Sequence, residues 1–314
     1  MDRSVYNENL YGGVCSMYEN EKAFLKSVHD LIGIARRMLW DSYEHTAVPE
    51  HALWYHCLAH SDGVFRRAVK IITTCNRFNA GTLSMHDAAL VVLAVYFHDI
   101  YIASYIIADP RTPHLRLSRK RLCGPSEEGS AAILERYMLE MNKKYRADIF
   151  TLADLESVHR MILLTVPKFE RGTVIQDISP ETPLVFRILP LADLGECGME
   201  PLQFMRNADL LLCEEQPRVQ QALLGTYKYQ SHVRENILEW AFAQVDFVSG
   251  RERRMLEDLS GLPDGLAQML MEQCFSSNNF ERSKDLSNTV HRKRKKMRLR
   301  AIVGDMRAVC GIRV

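Results

Sequence analysis

An all-α fold is predicted by three observations. Apolar residues recur at helical spacing, as in Trp54, Leu58, Phe65, Ala68 and Ile72. Alternating apolar and polar runs joined by hairpin turns are nearly absent. Helix-opening signals recur along the chain: Ser84-Met85-His86-Asp87 and Thr151-Leu152-Ala153-Asp154 both fit a capping box. In that motif a hydroxyl and an acidic side chain three residues later satisfy free backbone N–H groups.

The elements follow in chain order. One helix is predicted over about 21–40, ending near Trp40-Asp41, and a second over about 51–75. Ser84 opens a third, which enters the apolar run from Ala88 to Ala108. Ser126 is placed to cap a helix from Glu127 to about Asn142, with carboxylates in its first turn. Thr151 opens the next helix, which stops at Pro167. Thr182-Pro183 starts another, kinked or broken by Pro190 just before Asp193. Further helices are predicted over about 200–213, 215–222, 228–248, 250–260 and 263–275. Asp109 to Ser126 reads as a loop with three prolines and the basic set Arg116, Arg119, Lys120 and Arg121. Loops of that length inside a domain are often functional. From Ser276 onward the chain turns polar and then basic, with weak periodicity, and reads as a solvated tail.

Composition bounds the classes. The 314 residues are 47% hydrophobic and 25% charged, enough to bury a core in one large domain or two small ones. A net charge of +1 provides no global field toward nucleic acid or membrane. The basic run His291 to Arg300 is the local exception, a candidate contact for an anionic partner. Eight scattered cysteines without a C-x-x-C pair read as reduced, buried thiols. Met1 to Asn9 is polar and lacks the apolar core of a secretion signal, so a cytoplasmic location is expected. The run Ala88 to Ala108 has the length of a membrane span. It carries His98-Asp99 at its middle, however, where a charge costs roughly 2.5–3.5 kcal/mol, so a buried helix and no membrane span are expected.

That His98-Asp99 pair is the first candidate site. Buried polar groups are paired, hydrogen-bonded or metal-bound. His56 and His60, four residues apart, project from one face if helical. Asp193 follows on a third helix. Imidazole and carboxylate groups suit Mn, Fe, Mg or Zn. A metal so held lowers the pKa of a bound water and neutralises charge on a phosphoryl group. Arg116 and Lys120 of the loop are candidate cationic contacts for a substrate.

The order H…HD…D resembles the HD-domain superfamily of metal-dependent phosphohydrolases. Tyr55-His56-Cys57-Leu58-Ala59-His60 resembles its Y-H-x-x-x-H, and Tyr96-Phe97-His98-Asp99-Ile100 its apolar-F-H-D-apolar segment. Ser126-Glu127-Glu128-Gly129-Ser130-Ala131, Met161-Ile162-Leu163-Leu164-Thr165 and Leu191-Ala192-Asp193-Leu194-Gly195 resemble N-E-E-x-S-A, I-L-A-T and D-A-D-L stretches of one bacterial branch. Tyr227-Lys228-Tyr229, Val233-Arg234-Glu235 and Gly250-Arg251 extend the likeness, which runs from about 50 to 275. The resemblance implies an HD-domain-like helical bundle over 46–275, an N-terminal helical extension over 1–45 and a C-terminal tail over 276–314. It implies a divalent metal ion bound by His60, His98, Asp99 and Asp193. It places His56 as a proton donor to the leaving oxygen and Glu127 and Glu128 as orienters of water. The implied reaction is hydrolysis of a phosphate ester, a nucleotide by preference; the alternative is a catalytically inactive binding or regulatory protein on the same fold. The branch has a His shortly after its A-T, where this chain has Val166-Pro167-Lys168-Phe169. That departure puts a second metal in question and makes Lys168 a candidate substrate contact. Ser126 replaces the usual Asn, and Pro190-Leu191 the usual leading Asp.

Overall fold

Ser84 and Thr151 cap their helices as the sequence predicts. Ser84 Oγ accepts from Asp87 N at 3.0 Å, and Thr151 N donates to the Asp154 carboxylate at 2.8 Å. The computed structural model describes residues 5–44, 53–79, 82–107, 118–170, 173–223, 225 and 230–311. Within them the chain is all-α, interrupted by two short two-stranded sheets. The order is α1 (Val5–Leu39) with a π-helical turn Trp40–Glu44, α2 (Leu58–Phe78), α3 (Met85–Phe97), β1 (Ser104–Ile107), β2 (Ser118–Arg121), α4 (Pro125–Tyr145) and α5 (Leu152–Leu163). Then come β3 (Lys168–Glu170), β4 (Thr173–Ile175), α6 (Leu184–Leu194), α7 (Glu196–Met199), α8 (Pro201–Glu215) and α9 (Pro217–Leu223). The chain closes with α10 (Gln230–Asp258), α11 (Asp264–Gln273), α12 (Ser277–Lys296) and α13 (Leu299–Val309).

Several expectations are corrected. The apolar run Ala88 to Ala108 is not one helix. The α3 helix stops at Phe97 with His98 as its cap, and the chain turns into β1, antiparallel to β2 with Ser104 opposite Arg121. Tyr105, Ile106 and Ile107 are aromatic and β-branched, which suits a pleated strand. No described helix is long and apolar enough to cross a membrane. The α2 helix starts at Leu58 rather than near 51, because Cys57 is extended with φ −131 and ψ −179. Ser126 does not cap α4. Gly124 is the cap, Pro125 supplies the preset first turn, and Glu127 accepts the Gly124 N–H at 2.6 Å. Pro190 lies inside α6 without ending it. The predicted helices 228–248 and 250–260 are one, α10.

Beyond Ser276 the described residues form two helices, Ser277–Lys296 and Leu299–Val309, rather than a solvated tail. Phe280, Ser283, Ser287 and Arg294 of α12 are buried. Of the basic run, Arg294 grips Asp209 through two hydrogen bonds of 2.7 and 2.6 Å, while Arg292, Lys293, Lys295 and Lys296 stay exposed.

Around the site, the main core joins the buried stripes of α2 to α6. Val64, Ala68 and Ile71 of α2 meet Leu93, Ala94 and Phe97 of α3, Leu134 and Met138 of α4, Val158 and Ile162 of α5, and Ile188 and Leu191 of α6. This packing brings the start of α2, the end of α3 and the end of α6 together. Gly195 shows how tight that corner is: a Cβ there would lie 2.2 Å from Leu191 O and 2.6 Å from the Phe275 ring. Gly195→Ala is therefore expected to destabilise the chain by about 1–3 kcal/mol, read as a lower denaturant midpoint at unchanged slope.

Candidate metal centre

His60 sits in the first turn of α2, His98 at the cap of α3 with Asp99 beside it, and Asp193 in the last turn of α6. His60, His98 and Asp99 are buried, and the Asp193 side chain is 14% exposed. Their polar atoms converge. The His60 Nε2 lies 3.3 Å from His98 Nε2, 3.3 Å from Asp193 Oδ1 and 3.4 Å from Asp99 Oδ2. The His98 Nε2 lies 3.0 Å from Asp99 Oδ2 and 3.9 Å from Asp193 Oδ1. Among the described residues His60, His98 and Asp193 form a group able to hold a metal ion, their ligand atoms all within 4.8 Å of one another.

The donor set fits a divalent ion. Ligands at about 2.0–2.2 Å from a shared metal stand roughly 3.0–3.5 Å from one another, the range of most of these separations. The His98 Nδ1 donates to Val95 O at 2.7 Å. A carbonyl can only accept, so the proton is fixed on Nδ1 and the Nε2 lone pair of the neutral ring faces the other donors. Without a proton or cation between them, two imidazole lone pairs 3.3 Å apart would repel. Among the described residues the buried His60 Nδ1 has no hydrogen-bond partner.

Electrostatics sets a pH dependence. Burial lowers the His60 pKa, but hydrogen bonds to Asp193 and Asp99 outweigh it and raise it to about 9. Burial likewise opposes charge on Asp99, yet in the metal-free chain the protonated His98 ring and then Arg121 hold it well below the usual carboxylate range. In the metal-free chain the His60 contribution to stability is full below its ordinary pKa near 6.5 and is lost as pH rises through about 9. Metal affinity is expected to run the opposite way, rising across that window as the ion displaces the His60 proton. Calorimetry in buffers of different ionisation enthalpy reads the proton released; no proton release near neutral pH would contradict this.

A ring of polar groups frames the centre. Arg121, at the end of β2, donates to Asp99 Oδ1 and Glu127 Oε1, each at 2.8 Å. The same guanidinium contacts His56 Nε2. Arg has only donors, so His56 Nε2 accepts there, and the ring proton sits on Nδ1, which donates to Glu214. Glu214, in the last turn of α8, also accepts the N–H groups of Tyr55 and His56 at 3.0 and 3.1 Å. Arg67, fully buried in α2, donates through Nε to Ala192 O at 2.6 Å and through Nη1 to Glu196 and Glu200 at 2.8 and 3.0 Å. It thus satisfies a carbonyl that the end of α6 leaves open, one residue before Asp193.

The sequence-derived residues divide accordingly. His60, His98, Asp99 and Asp193 are brought together, with His56 beside them. His56 and His60 do not share a helix face, because His56 precedes α2 and turns to Glu214. With its Nε2 accepting from Arg121, His56 has no proton there for a leaving oxygen. Glu127 is buried but spent on Arg121 and the α4 cap. Glu128 turns outward to His159, 3.6 Å away. His159 lines a groove of about 470 Å³ with Glu135, Leu155 and Arg160, apart from the His-Asp cluster. Lys168 pairs with Asp177 on the surface at 3.2 Å. Arg116 and the side chain of Lys120 lie outside the described residues. Glu214 and Arg67 are not marked as site residues by the sequence, and Arg121 only as one of the loop's cations. Arg67 had a signal: it stands on the apolar face of Val64, Ala68 and Ile71. Glu214 had none, since Glu214-Glu215 reads as an exposed helix end. Compared with family models, curated proteins and solved structures, the chain matches none.

Proposed function

We propose that this chain is a divalent-metal-dependent phosphohydrolase acting on a phosphate ester, with a nucleotide as the favoured class. The observation that carries the reading is the convergence of His60, His98 and Asp193, with Asp99 adjoining, in a buried cluster. Imidazole and carboxylate donors suit Mn, Fe, Mg or Zn. A bound ion supplies Lewis acidity to water and to phosphoryl oxygens. The protein's own part is positional. Val95 O orients His98, Arg67 holds the backbone before Asp193, and Arg121 fixes Asp99 so that its Oδ2 faces the two imidazoles. Asp193, the most exposed of the four, marks the side open to substrate. The likeness of the H…HD…D order to HD-domain phosphohydrolases supports the same reaction class.

The test is a phosphatase and phosphodiesterase screen over nucleotides and general phosphoesters with Mn, Mg, Fe and Zn. Metal-dependent release of phosphate or nucleotide, lost on chelation and restored by one of these ions, is the expected result. A chain that binds metal and hydrolyses none of them would be a binding protein instead.

A further inference from the structure

We propose that Cys213 and Cys310 are a redox-sensitive pair that closes to a disulfide when the chain meets a hydroperoxide, tying α13 to the end of α8. The two sulfurs stand 3.3 Å apart although 97 residues separate them in sequence. Closing to the ~2.05 Å of a disulfide takes a movement of only about 1.2 Å. The pair lies in the second apolar cluster, where Leu212 of α8 and Ile302 and Met306 of α13 are buried. Cys213 is fully buried, whereas Cys310 is half-buried at the end of α13. The hydrogen bond from Cys310 and then burial push the Cys213 thiol well above its ordinary range. Cys310 is thus the sulfur that meets the oxidant and Cys213 the one that resolves it.

The step balances. The Cys310 thiolate attacks one peroxide oxygen; an S–O bond forms, the O–O bond breaks, and hydroxide leaves and takes up a proton as water. Cys213 then attacks the sulfenic sulfur; the S–S bond forms, the S–O bond breaks, and the Cys213 thiol proton leaves with the hydroxide as a second water. Two thiols are oxidised and one hydrogen peroxide is reduced to two waters. Closure acts next to Glu214, the carboxylate that holds His56 and the N–H of Tyr55. The pairing stands apart from the metal-dependent reading and survives its failure.

The experiment treats the full folded chain with hydrogen peroxide, traps free thiols with N-ethylmaleimide under denaturing conditions, and maps tryptic peptides without reduction. The expected result is loss of two maleimide-reactive thiols and a linked pair of peptides, Asn207 to Arg218 with Ala308 to Arg313. Dithiothreitol should reverse the link, and Cys310→Ser, checked as folded by circular dichroism, should lack it. Recovery of both Cys213 and Cys310 as maleimide adducts, with oxidation confined to exposed Cys123, would overturn the proposal.

Discussion

Replacing His98 and Asp99 by Ala is expected to remove bound metal and phosphatase activity together. His98 Nε2 and Asp99 Oδ2 stand 3.0 Å apart, and both face His60, so the double variant takes two of four donors from one cluster. Groups that merely orient a ligand cost 10–100-fold in affinity when lost; removing donors outright should exceed about 100-fold. Asp193→Asn is the milder companion, because it keeps the shape and some hydrogen-bonding capacity of the least buried donor. It should weaken metal binding while leaving the fold intact by circular dichroism. Full activity in the His98/Asp99 double variant would contradict the assignment.

Arg121→Met is expected to cost about 3–5 kcal/mol of stability, the usual loss when one member of a buried ion pair is removed. The guanidinium is the shared partner of Asp99 and Glu127, both buried, and of His56. Without it two carboxylates stay in the interior without their cation, and the pull that lowers the Asp99 pKa is reduced. Added divalent metal should restore part of the loss, because an ion at the cluster neutralises Asp99 as well. Arg121→Lys should recover less than wild-type stability, since an ammonium cannot reproduce the planar fork that reaches both carboxylates. Denaturant midpoints with and without Mn measure all three; an unchanged midpoint for Arg121→Met would show that the cluster carries no such burden.

The parts of this site that were legible in the sequence are those whose meaning is local. His98-Asp99 stood out because its flanks demand burial, and the upstream flank, Leu93 to Phe97, forms the α3 core stripe. Ser84 and Thr151 announced their helices because a capping box is a short-range hydrogen-bond exchange. The parts that were not legible depend on contacts across the chain. Glu214 reaches His56 from 158 residues away. Arg121 was visible only as one of several cations in a loop, and its choice of Asp99 is set by the β1–β2 pairing, for which the apolar run up to Ala108 gave no turn signal. The same run hid the end of α3, since periodicity cannot separate a buried helix from the strand that follows it. His56 misled in the other direction: its spacing from His60 fits a helix face, but the extended backbone at Cys57 starts the helix two residues later. Beyond Ser276 the apolar positions are too sparse for a clear period, yet Phe280 and Arg294 pin α12 into the core.

The most direct test of the central claim is the metal content of the purified full chain by elemental analysis, wild type beside the His98/Asp99 double variant. About one equivalent of Mn, Fe, Mg or Zn per chain is expected in the wild type, by growth or by reloading after chelation, and none in the variant. No bound metal in the wild type after reloading, or equal metal in both proteins, would contradict it.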